Sequence, residues 1–169
     1  MTGYVALLRA VNVGGTGKLP MAELRAIAEA AGFAKVRTYI ASGNLVFESA
    51  LGEAAVKAAL EAALKAYAGK AVGVIVRTAE EMAAVVAANP YPGAPANRTV
   101  AIFLDAPPPA GFLAAATGRA AEEVALGRRE IYVYYPDGQG ASKLKIPAAR
   151  AGTARNMNTI ATLAEWAAR

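Results

Sequence analysis

The chain has 169 residues, 56% of them apolar and 18% charged, which is enough to build one compact domain or two small ones. It contains no cysteine and no histidine, which excludes disulfides, thiolate nucleophiles, histidine general bases and the common zinc sites. The net charge of +5 is a mild excess that permits an anionic partner and equally fits a solvated surface. The N-terminus lacks a signal-peptide pattern and no apolar run is long enough for a membrane span, so we expect a cytoplasmic protein without a membrane partner.

The first half of the chain predicts the element order β-α-β-β-α-β, which is that of a ferredoxin-like fold. Short apolar runs predict strands at 5–11, 35–41, 45–48 and 72–77. Helical spacing of apolar residues predicts helices at 20–31, 53–67 and 79–88. A glycine-rich loop fills 12–18, and the turn Ser42-Gly43-Asn44 joins the second and third strands into a hairpin.

Three prolines within residues 89–95 interrupt the chain, because proline continues neither a helix nor a central strand. We therefore predict a ferredoxin-like unit at 1–88, a proline-rich connection at 89–98 and a second, related unit at 99–169. The second unit has predicted strands at 99–104, 123–126 and 130–135 and helices at 110–117, after 137–140 and from Thr153 to the C-terminus. The predicted fold class is α+β, with β-α-β-β-α in the second unit and a final helix in place of a further strand.

Polar residues of the first unit are predicted to meet at one edge of an antiparallel sheet with the strand order four-one-three-two. Strand one ends where strands two and three turn, so the loop 12–18 should neighbour the Ser42-Gly43-Asn44 turn. The loop does not match the nucleoside-triphosphate pattern, because Asn12 stands where that pattern has its first glycine and Leu19 follows Lys18. Its amides and lysine still suit a generic anion site, whereas the simpler interpretation is a connection whose glycines only turn the chain.

A second polar group lies near the C-terminus, around Arg155 and Asn156. If Thr153 caps the last helix, Arg155 falls in its first turn, where the helix dipole disfavours a cation. A bound anion or an acidic side chain would compensate for that placement. Pairing of Arg155 with an acidic residue between the two units stays open as an alternative.

The remaining candidates carry weaker signals. Strand alternation puts Tyr132 and Tyr134 on one face, where they could stack on bases or pack between sheets. The adjacent acidic pairs Glu80–Glu81 and Glu122–Glu123 predict solvated positions, and we predict no metal site.

Three motifs taken together closely resemble the bacterial family catalogued as domain of unknown function 1697. They are Arg9-Ala-Val-Asn-Val-Gly-Gly15 with Lys18, Arg37 to Phe47 with its Ser-Gly-Asn turn, and Gly152-Thr-Ala-Arg-Asn156. The resemblance spans essentially the whole chain and implies a cytosolic protein with a ferredoxin-like unit and a related second unit. It implies no reaction, and Met157 departs from the aromatic residue that family members often carry there.

The leading hypothesis is a protein that binds an anionic ligand, either a phosphate-bearing small molecule or a nucleic-acid backbone. Guanidinium, ammonium, amide and hydroxyl groups suit such a ligand. The candidate residues are Arg9, Asn12, Gly14, Gly15, Lys18, Ser42 and Asn44, with Arg155 and Asn156 as a further wall. Two alternatives stay open: an enzyme of unknown reaction, whose acid–base group would be Lys18, a tyrosine or a carboxylate, and a protein that forms homodimers through its sheets. The sequence names no cofactor.

Overall fold

The computed structural model describes residues 1–9 and 19–169. These residues form two compact units, one of Met1–Ala83 with Leu163–Arg169 and one of Ala84–Thr162. The C-terminal residues therefore belong to the first unit, although they follow the second in the chain.

The first unit contains one antiparallel sheet of four strands. In chain order its elements are β1 (Thr2–Leu8), α1 (Met21–Ala30), β2 (Ala34–Thr38), β3 (Asn44–Ser49), α2 (Glu53–Ala68), β4 (Val74–Thr78) and the start of α3 (Ala79–Ala87). The strands are arranged β2-β3-β1-β4, with every neighbouring pair antiparallel. The predicted ferredoxin-like order of this sheet is confirmed.

The core of the first unit lies between this sheet and the helices α1 and α2. Val56, Leu60 and Leu64 recur at helical spacing along α2 and are fully buried, as the sequence pattern predicts. Phe33 and Phe47 stack with ring centroids 4.5 Å apart. The three buried residues of α2 attach this helix to the sheet and so fix the position of the chain that leads into β4.

Strand β4 lies at an edge of the sheet, where its main chain lacks a strand neighbour on one side among the described residues. Two side chains of α2 bind the main chain of β4 on that side. The Lys57 ammonium donates to the Val74 carbonyl, and Glu61 Oε2 accepts the Val74 N–H at 3.1 Å. Lys57 and Glu61 also contact each other at 3.1 Å. This pair satisfies main-chain groups that a bare sheet edge would expose.

Helix α3 begins with a reciprocal cap that the sequence analysis missed. Glu81 Oε1 accepts the Thr78 N–H at 2.9 Å, and Thr78 Oγ1 accepts the Glu81 N–H at 3.1 Å. The expectation that Glu81 is only a solvated position is wrong. Thr78 followed by Glu81 has the spacing of a capping box, which was the available signal.

The second unit has the same strand order with different connections. Its sheet, arranged β6-β7-β5-β8, consists of β5 (Thr99–Phe103), β6 (Glu123–Leu126), β7 (Glu130–Tyr134) and β8 (Thr153–Asn156). The mixed α+β class with two antiparallel sheets is confirmed. The helices expected at 110–117 and after 137–140 are instead short 3₁₀ turns at Phe112–Ala115, Gln139–Ala141 and Pro147–Ala151.

Strand β8 corrects the expected start of the last helix. Arg155 pairs with Ala101 of β5, so it lies in a strand and not in a helical turn. Helix α4 (Met157–Ala167) begins after it, and Asn156 is its cap because Asn156 Oδ1 accepts the Thr159 N–H at 3.0 Å. Pairing along β5 outweighs the capping preference of Thr153, which local sequence alone could not reveal.

Within residues 1–9 and 19–169, no helix combines the length and the apolar character that crossing a bilayer requires.

Candidate functional site

At one end of the first sheet, β1 finishes and β3 and β4 begin. The edge discussed below is this end of the sheet, and not the outer side of β4. The Leu8 N–H donates to the Gly43 carbonyl at 2.9 Å, which brings the end of β1 against the hairpin turn. The Arg9 N–H donates to the Gly73 carbonyl, also at 2.9 Å, just before β4 begins. The end of β1 thus lies beside the hairpin, as the strand order predicts. Arg9 is held between the two neighbouring strand ends.

The side chain of Arg9 lies across Gly73. A Cβ atom at Gly73 would stand 2.9 Å from Arg9 Cδ and 3.3 Å from Arg9 Nη1, so glycine leaves the space that the arginine occupies. A shallow cavity of about 270 Å³ adjoins Gly73 and is also lined by Glu61 and Lys65 of α2. The arginine and this lysine therefore lie at the same edge of the sheet.

The charges at this edge are predominantly positive. Besides Arg9 and Lys65, this edge contains a third cation, Lys57, which binds the first residue of β4. Glu61 offsets one of these charges, because it pairs with Lys57. Gly73 and Lys65 were not among the predicted residues. The predicted strand order contained the signal, since it brings the start of strand four to the same edge.

The Ser-Gly-Asn turn is held by its own side chains. Asn44 is fully buried, and its amide donates to the Tyr39 carbonyl at 2.8 Å and to Ser42 Oγ at 3.0 Å. Asn44 is therefore a positioning residue for the hairpin. Ser42 is half-buried beside it, at the end of the sheet where Arg9 lies.

The other predicted residues of this edge are Asn12, Gly14, Gly15 and Lys18, and they lie outside the described residues. Their contribution to the site stays a prediction.

Arg155 and Asn156 belong to the second unit. The Arg155 guanidinium donates to Thr153 Oγ1 at 2.7 Å and to the Ala154 carbonyl at 2.9 Å. Burial lowers the pKa of Arg155 to about 10, because desolvation disfavours its charged form. Asn156 uses its side chain as the cap of α4. The proximity of this pair to the first-unit edge stays a prediction.

The tyrosines of β7 do not form an exposed aromatic face. Tyr132 is buried and its hydroxyl donates to the Val85 carbonyl at 2.7 Å. Desolvation raises the pKa of Tyr132 to about 12, with a smaller effect of the same sign from Glu130. Tyr134 is half-buried, with its ring centroid 6.1 Å from that of Tyr91. These contacts favour packing as the role of the tyrosines.

Glu122 is buried and hydrogen-bonded, which the sequence did not predict. It is buried beside a cavity of about 140 Å³, and its carboxylate accepts the Ser142 hydroxyl at 2.6 Å and the Ala120 N–H at 2.5 Å. These hydrogen bonds lower the pKa of Glu122, and the one from Ser142 has the largest effect. The expectation of a solvated Glu122 is wrong. No local pattern could have shown the contact, because the partners come from two separate loops.

The chain is similar along nearly its whole length to a solved structure. It is the structure of the conserved bacterial protein SP0830 from Streptococcus pneumoniae, with 25% sequence identity, a TM-score of 0.79 and coverage of 98% of each chain. No curated protein matches the chain. The family described as protein of unknown function (DUF1697) matches residues 1–132, which include the glycine-rich loop and the Ser-Gly-Asn turn. The chain belongs to this family.

Proposed function

We propose that the protein binds an anionic, phosphate-bearing ligand at the edge of the first sheet where β1 ends. The position of Arg9 is the observation that carries the proposal. Main-chain hydrogen bonds from Leu8 and Arg9 reach the hairpin turn on one side and Gly73 on the other. The arginine is thereby held at a fixed place beside a cavity that Lys65 lines.

The chemistry of this edge suits a phosphate. A guanidinium donates several hydrogen bonds in a fixed planar arrangement, and a nearby ammonium adds charge without a demand on direction. We assign Arg9, which lies across Gly73, and Lys65, which lines the adjoining cavity, as the cations that hold the ligand. The overall charge of +5 favours approach of an anion to any part of the chain.

The proposal is tested by the thermal unfolding of the protein with inorganic phosphate, sugar phosphates, nucleotides, dicarboxylates and short oligonucleotides. A ligand that binds only the folded state stabilises it by about 2.7 kcal/mol at one hundred times its dissociation constant. We expect a phosphate-bearing compound to raise the unfolding midpoint of the wild-type protein, and Arg9→Gln to abolish that rise.

Arg25→Gln is the matched control, because Arg25 is an exposed arginine of α1 that pairs with Glu29 at the surface. It should respond to the ligand as the wild type does. A folded Arg9→Gln variant with an unchanged response would contradict the proposal. If an oligonucleotide binds, a steep fall of affinity with salt identifies a nucleic-acid backbone as the ligand, whereas a small phosphate ester gives a shallow fall.

A further inference from the structure

Each sheet has two outer strands, and three of these four strands have some protection on the side that lacks a strand neighbour. Lys57 and Glu61 bind the main chain of β4. Strand β2 shifts its pairing register between Ala34 and Arg37, and such a shift bends a strand away from regular pairing. On β8 the guanidinium of Arg155 donates to a carbonyl of its own strand. Features of this kind keep an outer strand from pairing with another chain.

Strand β6 lacks such protection among the described residues. It pairs with β7 in a continuous register from Glu123 to Leu126. The Gly127 N–H donates to the Glu130 carbonyl at 2.8 Å, and from there hydrogen-bonded pairs alternate with non-bonded pairs along the ladder. The N–H and carbonyl groups of Val124 and Leu126 therefore point away from β7. None of these groups takes part in a hydrogen bond within residues 1–9 and 19–169.

The side chains of β6 make the strand complementary to a second copy of itself. Val124 and Leu126 point to the same face, because side chains alternate along a strand, and Leu126 is 61% exposed. Between them stands Ala125, whose small side chain allows another strand to approach closely. Glu123 is exposed at the start of the strand, and Arg128 is exposed just beyond its end. An antiparallel copy would place each acidic start beside a basic end, whereas a parallel copy would place like charges together.

We infer that the outer side of β6 is an interface between two copies of this chain, whose β6 strands pair antiparallel about a two-fold axis at Ala125. Val124 then lies opposite the partner's Leu126, and the outward main-chain groups of these residues are satisfied in both copies. Each exposed leucine gains a valine as an apolar neighbour. Because the same surface serves on both sides, the arrangement closes as a dimer.

The test is sedimentation equilibrium of the full chain from about 5 to about 500 µM, because one short strand from each copy buries less than the ~1,200 Å² of stable complexes. The wild type should pass from monomer to dimer over this range. Leu126→Lys places a cation against the apolar contact and should weaken association at least about tenfold. Leu51→Lys is the matched control, since Leu51 is 45% exposed in the other unit. It should associate as the wild type does.

The charges at the two ends of β6 test the register of the pairing. Glu123→Arg and Arg128→Glu should each weaken association about tenfold, because each creates like charges at two symmetric places. The double variant exchanges the two charges and should regain the association of the wild type. A wild type that stays monomeric at about 500 µM overturns the inference, and so does a dimer that Leu126→Lys leaves intact. A double variant that associates as weakly as the single ones contradicts the antiparallel register.

Discussion

The two sheets of this protein share one strand order and differ in what covers them. In the first unit, α1 and α2 place Leu24, Val56, Leu60 and Leu64 against the sheet. In the second unit the corresponding connections are 3₁₀ turns and loops, and the core is built from strand residues with Leu104, Tyr135 and Ile146. The strand order is therefore compatible with either kind of cover.

This difference shows how irregular segments can replace helices. A helix satisfies its own main-chain groups, whereas a loop that covers a sheet needs other partners. Glu122 and Ser142 are an example in the second unit, because their side chains join two loops and the Glu122 carboxylate accepts a main-chain N–H. The first unit instead uses long helices, and α2 also supplies the side chains that bind the edge strand β4.

The largest expected effect comes from the core that the helices cover. Leu60→Ala should lower the free energy of unfolding by about 3 kcal/mol, because Leu60 is fully buried and its removal leaves a cavity. Leu144→Ala, a partly buried position on the second core, should cost about 1 kcal/mol. Urea unfolding followed by circular dichroism measures both. Equal costs would contradict the deeper burial of the position that α2 provides.

An intermediate effect is expected where β8 approaches β5. A Cβ atom at Gly152 would collide with the Phe103 carbonyl oxygen and with Leu104. Gly152→Ala should therefore cost about 2 kcal/mol of stability through overpacking. Gly140→Ala is the control in the same unit, since among the described residues an added Cβ would meet no atom within 4 Å beyond the glycine and its two chain neighbours. A Gly152→Ala variant as stable as this control would show that β8 does not pair as described.

The smallest expected effect concerns the buried phenol of the second sheet. Tyr132→Phe should cost about 1 kcal/mol at neutral pH, because the Val85 carbonyl loses its donor. The folded state raises the pKa of Tyr132 to about 12. A tyrosine in an unfolded chain has a pKa of about 10. The stability that Tyr132 contributes should thus be lost as pH rises from about 10 to about 12, since this phenol loses its proton first in the unfolded state.

Urea unfolding at a series of alkaline pH values measures this loss. Tyr132→Phe should show a shallower fall of stability than the wild type over that range. Tyr67→Phe is the control at an exposed tyrosine, since Tyr67 is 47% exposed. An unchanged dependence in Tyr132→Phe would mean that the phenol is not held neutral by the fold.

Regular elements with a strong local pattern could be predicted from the sequence. The spacing of Val56, Leu60 and Leu64 predicts α2 at 53–67, and the helix spans Glu53–Ala68. The strand order of the first sheet follows from the element order and brings the end of β1 to the hairpin. The short turns of the second unit and strand β8 could not be predicted, because contacts distant in sequence decide them.

Some features of the candidate site could likewise be predicted from the sequence, and others could not. The positions of Arg9 and the Ser-Gly-Asn turn follow from topology, which needs only the order of strands. The hydrogen bonds of the Asn44 amide lie within the turn itself, to Tyr39 and Ser42. The space at Gly73 depends on close packing against Arg9, which is distant in sequence, so no local sequence pattern encodes it.

The central claim is that an anion binds at the edge of the first sheet beside Arg9. The most direct measurement is a phosphate titration at constant ionic strength, followed through the amide resonances of the ¹⁵N-labelled protein. We predict saturable shifts concentrated at Arg9, Gly43 and Gly73, which lie at this edge because the Leu8 N–H donates to the Gly43 carbonyl and the Arg9 N–H donates to the Gly73 carbonyl. Shifts spread evenly over the exposed lysines and arginines, with these three resonances unmoved, would contradict it.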